Sequence, residues 1–143
     1  MREEVATQFE SGDNVANWRV LPASNEVIWF SERDDWGQLY LYDLTTGVLK
    51  SKITTGDGPV LSVERVDEKT RTIWFVAAGK IRGRDPYYRH LYRIGMNGKG
   101  LTLLTPENGD HGTSLSPNGA VFVDSWSRAD LAPTAVLRNA KTG

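Results

Sequence analysis

The tetrapeptide Val27-Ile28-Trp29-Phe30 returns as Thr72-Ile73-Trp74-Phe75 and, more loosely, as Ala120-Val121-Phe122-Val123. A polar turn precedes each copy: LPASNE, then VDEKTR, then LSPNGA. A second related element follows each one, LYLYDLTTG at 39–47, HLYRIGMNGKG at 90–100 and TAVLRNAKTG at 134–143. The units are about 44 to 52 residues apart, and a period of that size, holding about four strands, marks a β-propeller blade. A β-sandwich would supply as many strands but gives no reason for the recurrence.

Working outward, alternating short apolar runs dominate and helical periodicity is nearly absent. Strands are predicted near 5–9, 15–20, 27–31, 39–43, 48–54, 61–66, 72–77, 90–94, 101–104, 113–115, 121–125 and 135–138. TTGD, NGKG, ENGD and SPNG lie between them, with Gly beside residues that tolerate positive φ. The expected fold class is all-β: a partial β-propeller of antiparallel four-stranded blades, two to three in number. The approximate repeat units are 1–47, 48–99 and 100–143. Closed propellers typically need four to eight blades, so the chain is expected to be a piece of a longer polypeptide. Its two end edges would invite pairing with another chain, and self-association of the isolated segment is expected.

Composition narrows the function classes. At 143 residues the chain can bury a real core, since a domain of this size hides roughly 70% of its unfolded surface. Lys plus Arg is 17 against 18 for Asp plus Glu, which gives no electrostatic reason to expect nucleic acid or an anionic membrane. The absence of Cys excludes disulfides, thiolate metal sites and a Cys nucleophile,. No apolar run approaches the length of a membrane span or a signal-peptide core.

The polar knot Glu32-Arg33-Asp34-Asp35, with Trp36 beside it, interrupts VIWFSERDDWGQLYLYD. Asp34 and Asp35 invite comparison with a glycosidase pair. Such a pair needs a fixed separation of roughly 5–9 Å across a substrate and one desolvated carboxyl, which sequence neighbours on a polar loop do not provide. The knot reads as the connection, 32–38, between two strands, with Asp and Gly serving the turn.

Together SERDDWGQLYLYDLTTG, VDEKTRTIWF, RHLYRI, LTLLTPENGDH and SLSPNGAVFVDSWSRADLAPTAVLR resemble the dipeptidyl peptidase IV branch of the prolyl oligopeptidase family, from about Asn17 to Lys141. The resemblance implies the last blades of an N-terminal propeller that precedes a catalytic α/β-hydrolase domain. It implies a serine exopeptidase removing N-terminal dipeptides, often after proline, in which the propeller limits substrates to short peptides. Its partners would be peptide substrate and the hydrolase domain, and family habit implies a periplasmic or secreted setting in a bacterium. The alternative is a TolB-like or WD-type propeller acting as an interaction scaffold with no peptidase attached.

No catalytic residue is expected in the chain itself. The nearest approach to a nucleophile elbow, Gly112-Thr113-Ser114-Leu115-Ser116, lacks the second Gly and the following helix,. His90 falls in a strand by alternation, and His111 reads as a turn residue that hydrogen-bonds locally. In the family the triad follows the propeller in sequence, and the paired glutamates that bind the substrate amino terminus come from earlier blades. No carboxylate–His cluster with metal spacing and no phosphate-binding Gly loop is found, so no metal and no cofactor is expected. Lys80–Arg93 (KIRGRDPYYRHLYR) is the basic cluster, with Tyr87, Tyr88 and Tyr92 interleaved. Such a mixture can grip single-stranded nucleic acid, but the near-neutral charge balance and a resemblance that spans this segment favour a long hairpin loop whose arginines bond backbone or acidic loops, and no nucleic acid is expected,. Contact with a partner through Arg82, Arg84 and Arg89 is the functional alternative. Trp29 and Trp74, like Phe30 and Phe75, are expected to pack between sheets. WSRADLAP, 126–133, is expected to be a loop.

Overall fold

The computed structural model describes residues 18–143. Among them there is no helix, and hence none long and apolar enough to cross a membrane. Eleven strands form three antiparallel sheets. The first contains β1 (Arg19–Leu21), β2 (Glu26–Asp34), β3 (Trp36–Asp43) and β4 (Leu49–Lys52). The second contains β5 (Val60–Asp67), β6 (Thr72–Ala77), β7 (His90–Gly95) and β8 (Thr102–Leu103). The third contains β9 (Asp110–Leu115), β10 (Val121–Arg128) and β11 (Leu131–Asn139). Every sheet is a meander in chain order, as short polar connections between alternating runs dictate. These are propeller blades.

The middle sheet is covered on both faces, and β6 shows why. Successive side chains of a strand point to opposite faces. Ile73, Phe75 and Ala77 join Ile28, Leu41 and Ile53 of the first sheet in one apolar seam. Trp74, with Val76 beside it, joins Leu104, Phe122 and Ala140 in a second seam against the third sheet. A strand buried on both faces reads as a continuous apolar run, and TIWFVA is that run. The outer face of the first sheet carries its own cluster, Val27, Tyr40 and Tyr42 with Trp29 against them.

Several expected boundaries move. The strand expected at 5–9 lies outside the described residues, and only the end of 15–20 falls within β1. The unit borders at 47/48 and 99/100 fall before β4 and β8, each of which stays with the sheet it closes. WSRADLAP is not a loop: β10 runs to Arg128 and β11 begins at Leu131, with Arg128 Nε 2.8 Å from Asp130 in the turn. Pro133 is accommodated because β11 pairs with β10 alone, and an edge strand has no N–H to lose on its open side. In SPNG only Gly119 takes positive φ, +69°, while Asn118 Oδ1 accepts the Ala120 N–H at 3.0 Å.

Candidate functional site

The polar knot belongs to the strands more than to a loop. β2 and β3 extend through it to a tight reversal at Asp35, φ +71°, with a bulge between Ser31 and Asp34. The close packing of Gly37 explains the extension: a Cβ there would lie 2.3 Å from Phe30 Cζ, so only glycine lets that ring cross the hairpin. Arg33 lies over the Tyr40 ring, 4.3 Å from its centroid, and donates to Tyr42 Oη at 2.6 Å. Asp34 accepts from Tyr40 Oη at 2.8 Å and from Lys52 Nζ at 2.6 Å. The Lys52 bond, followed by that of Tyr40, lowers the Asp34 pKa. A stapled, exposed, ionised carboxylate is not a general acid.

A buried ionic joint ties the three strands of the third sheet to the loop that enters it from the second. His111 is not a turn residue; it sits on β9 with its side chain fully enclosed, because the strand begins at Asp110. Its Nδ1 lies 2.8 Å from Asp124 Oδ1, and its Nε2 donates to the Glu107 carbonyl at 3.1 Å. Arg138 donates from Nε to Asp124 Oδ2 at 2.8 Å and places Nη2 2.6 Å from Glu107 Oε2. Burial, the largest single influence, disfavours the charge on Glu107, but the Arg138 bond, a backbone hydrogen bond and the nearby positive charge together lower the pKa. Ligand atoms of Glu107, His111 and Asp124 lie within 4.8 Å of one another, an arrangement that sequence spacing did not reveal. The trio fits a metal poorly. The Arg138 guanidinium already supplies the cation on both carboxylates, and both His111 nitrogens are engaged,.

His90 opens β7 with its ring 4.9 Å from that of His111. Its Nδ1 donates to the Thr105 carbonyl at 2.9 Å, which leaves Nε2 as a buried lone pair without a partner among the described residues. Burial lowers the His90 pKa, so the neutral ring is favoured,. Gln38 is its counterpart in the first sheet: it precedes Leu39 as His90 precedes Leu91, and it donates to the Gly56 and Gly58 carbonyls. Thr54 and Thr105 also correspond, accepting the Leu39 and Leu91 N–H groups at 2.9 and 3.0 Å. These buried polar groups fix the chain where it leaves one sheet for the next.

A second ionic joint lies across the first seam. Glu26, 1% exposed, receives Arg71 from the second sheet and Lys50 from β4. The Arg71 bond, against the opposing effect of burial and with help from Lys50, holds its carboxyl at a pKa of about 2. Neither joint was anticipated from the sequence.

The Lys80–Arg93 segment is largely tied to the chain itself. Lys80 Nζ donates to the Thr55, Asp57 and Gly58 carbonyls at 3.2–3.3 Å. Arg84 donates to the Glu107 carbonyl at 3.0 Å, and Arg89 forms a forked pair with Asp110. Tyr92 is buried in the first seam, and burial raises its pKa to about 12. Tyr87, 86% exposed, stands with Trp36, Pro59 and Pro86 around an apolar groove of about 510 Å³. Gly112–Ser116 runs along β9 into a turn in which Ser116 Oγ accepts the Val121 N–H at 3.2 Å. No helix follows it. Trp74 packs in the second seam and donates from Nε1 to the Ala140 carbonyl at 2.7 Å, whereas Trp29 lies on the opposite face of its own sheet.

Residues 2–133 match the family described as the dipeptidyl peptidase IV N-terminal region. The chain belongs to that family. Dipeptidyl peptidase 4 of Porphyromonas gingivalis superposes with a TM-score of 0.71 at 26% identity over 87% of this chain and 17% of its own. A protein assigned as a dipeptidyl aminopeptidase IV, from Bacteroides ovatus, gives 0.66 at 18% over 82% and 18%. One assigned as TolB, from Agrobacterium tumefaciens, gives 0.58 at 19% over 85% and 44%. The last two show likeness of fold alone. This member of the dipeptidyl peptidase IV N-terminal region family thus spans less than a fifth of the two peptidase-type structures. It is a run of propeller blades joined by apolar seams, with a buried ionic joint across the first seam and another inside the third sheet.

Proposed function

We propose that the chain is a noncatalytic segment of a substrate-gating propeller in a dipeptidyl peptidase IV-like serine exopeptidase acting on short peptides. The observation that supports this is the pair of seams. Three sheets joined by apolar packing and reinforced by buried charge make a stiff wall, which is what steric exclusion of folded substrates demands. In the intact enzyme peptide substrate would pass this wall and an α/β-hydrolase domain would pack against it. Among the described residues the third sheet has three strands where the others have four, and β11 pairs on one side only; through that edge the isolated segment would self-associate.

The test has two parts. Incubated alone with a chromogenic Xaa-Pro dipeptide substrate, the segment is expected to release no product, and genuine turnover would overthrow the assignment. The gene that encodes it is expected to specify a Gly-x-Ser-x-Gly elbow beyond residue 143. Without such an elbow the second reading stands: an interaction scaffold, favoured by the likeness to the TolB-assigned structure.

A further inference from the structure

We infer that a cavity at the turn end of the first seam binds a small, multiply charged oxyanion, a phosphate or a polycarboxylate. The cavity holds about 500 Å³, and Lys50, Arg71, Arg93 and Lys99 line it together with Thr70 and Asn97. No carboxylate is among its lining residues. The acid that reaches its walls is Glu26, which is buried behind them and already receives Lys50 and Arg71.

Four cations therefore face one carboxylate in a concave wall, an arrangement that focuses positive potential on whatever enters. Glu26 also fixes two of those cations, so they are held in place before a ligand arrives. Lys50 and Arg71 have N–H groups left over, because an ammonium carries three and a guanidinium five. Among the described residues Arg93 Nε is shielded from solvent without a hydrogen-bond partner, and its Nη2 makes only a long hydrogen bond, 3.4 Å, to the Thr102 hydroxyl. Lys99 forms no ion pair among the described residues, and its N–H is turned onto Asn97 Oδ1 at 3.0 Å. The floor is rigid: Ser51 Oγ of the first sheet donates to the Met96 carbonyl of the second at 2.6 Å. Guanidinium and ammonium groups with adjacent hydroxyl and amide donors are the partners that oxyanions take. A single monovalent ion would leave most of this charge unmatched.

The test is an NMR titration of the isotopically labelled chain with inorganic phosphate in one arm and citrate in the other, at ionic strength fixed with sodium chloride. Saturating shifts confined to amides of 70–72 and 95–100 are expected. Saturation by phosphate alone, or by citrate alone, identifies which oxyanion source the cavity takes. Lys99→Gln and Arg93→Gln are each expected to weaken binding about tenfold, the usual loss of one charge-assisted contact. Lys52→Gln, a change outside the cavity, should leave it unaltered. Melting curves in chloride report whether each variant is folded; if Arg93→Gln is not, Lys99→Gln decides alone. Absence of saturation in both arms, or equal weakening in Lys52→Gln and Lys99→Gln, would overturn the assignment.

Discussion

Replacing Glu26 by Gln isolates what a single ionic joint contributes. The substitution keeps the shape of the side chain and a carbonyl acceptor but removes the charge that Arg71 and Lys50 share. A carboxyl held at about 2 against an ordinary 4.5 corresponds to roughly 3 kcal/mol at neutral pH, at about 1.4 kcal/mol per pH unit,. That is a ceiling. Arg71 and Lys50 are 42% and 44% exposed, so water screens both and regains them when the partner is lost. The expected destabilisation is about 1–2 kcal/mol, which moves a urea midpoint by roughly 0.5–1 M.

The pH dependence is more diagnostic than the size. Because the folded pKa is depressed, the stabilisation is complete above pH 4.5 and is lost as pH falls through about 2,. Urea unfolding followed by Trp fluorescence, repeated from pH 7 to pH 2.5, is expected to give a constant gap between wild type and Glu26→Gln down to about pH 5. The gap then narrows. Asp34, Asp43, Asp67 and Asp110 also have lowered pKa values, but they titrate in both proteins and cancel in the difference. A variant as stable as wild type at pH 7, or a gap that stays fully open at pH 2.5, would refute the assignment of Glu26 as a charge joint.

At the second joint, Asp124→Asn leaves Arg138 and the enclosed His111 without their carboxylate, and is expected to cost about 3 kcal/mol or more in thermal unfolding,. Asp130→Asn, on a solvent-exposed pair that water screens, should leave the melting temperature unchanged within error,. Gly58→Ala would place a Cβ 2.0 Å from the Ala78 carbonyl at φ +79°, so a loss of about 2–4 kcal/mol is expected in the same assay,. His90 is disfavoured as a cation by burial, so stability should fall as pH drops below 6.5 towards its lower folded pKa,. His90→Asn, whose amide N–H can replace the bond to Thr105, is expected to flatten that slope between pH 7 and 5; an unchanged slope would exclude His90 as its source.

What could be read from the sequence, and what could not, follows from where each interaction closes. The repeat was legible because a strand covered on both faces must be apolar at every position, and Ile73, Trp74 and Phe75 divide between two seams for that reason,. The hairpins were legible because their polar contacts are local: Asp43 Oδ1 accepts the Thr45 and Thr46 N–H groups, as Asp67 Oδ1 accepts those of Lys69 and Thr70. His111 was misread because ENGDHGT looks like a turn, while the Asp124 that draws its ring inward stands on the next strand, beyond any local pattern. Glu26 and Arg71 lie still further apart, 45 residues. Aligning the two tetrapeptides sets them against each other, but the folded register does not: Glu26 pairs with Asp43 as Thr72 pairs with Gly95, and Arg71, at φ +55°, matches Asn25, at +54°, in the turn before. A charge pair between positions that the repeat does not equate closes only when two finished sheets are laid together. Apolar alternation built each sheet and was legible for that reason, whereas the joint belongs to the seam and has no local signature.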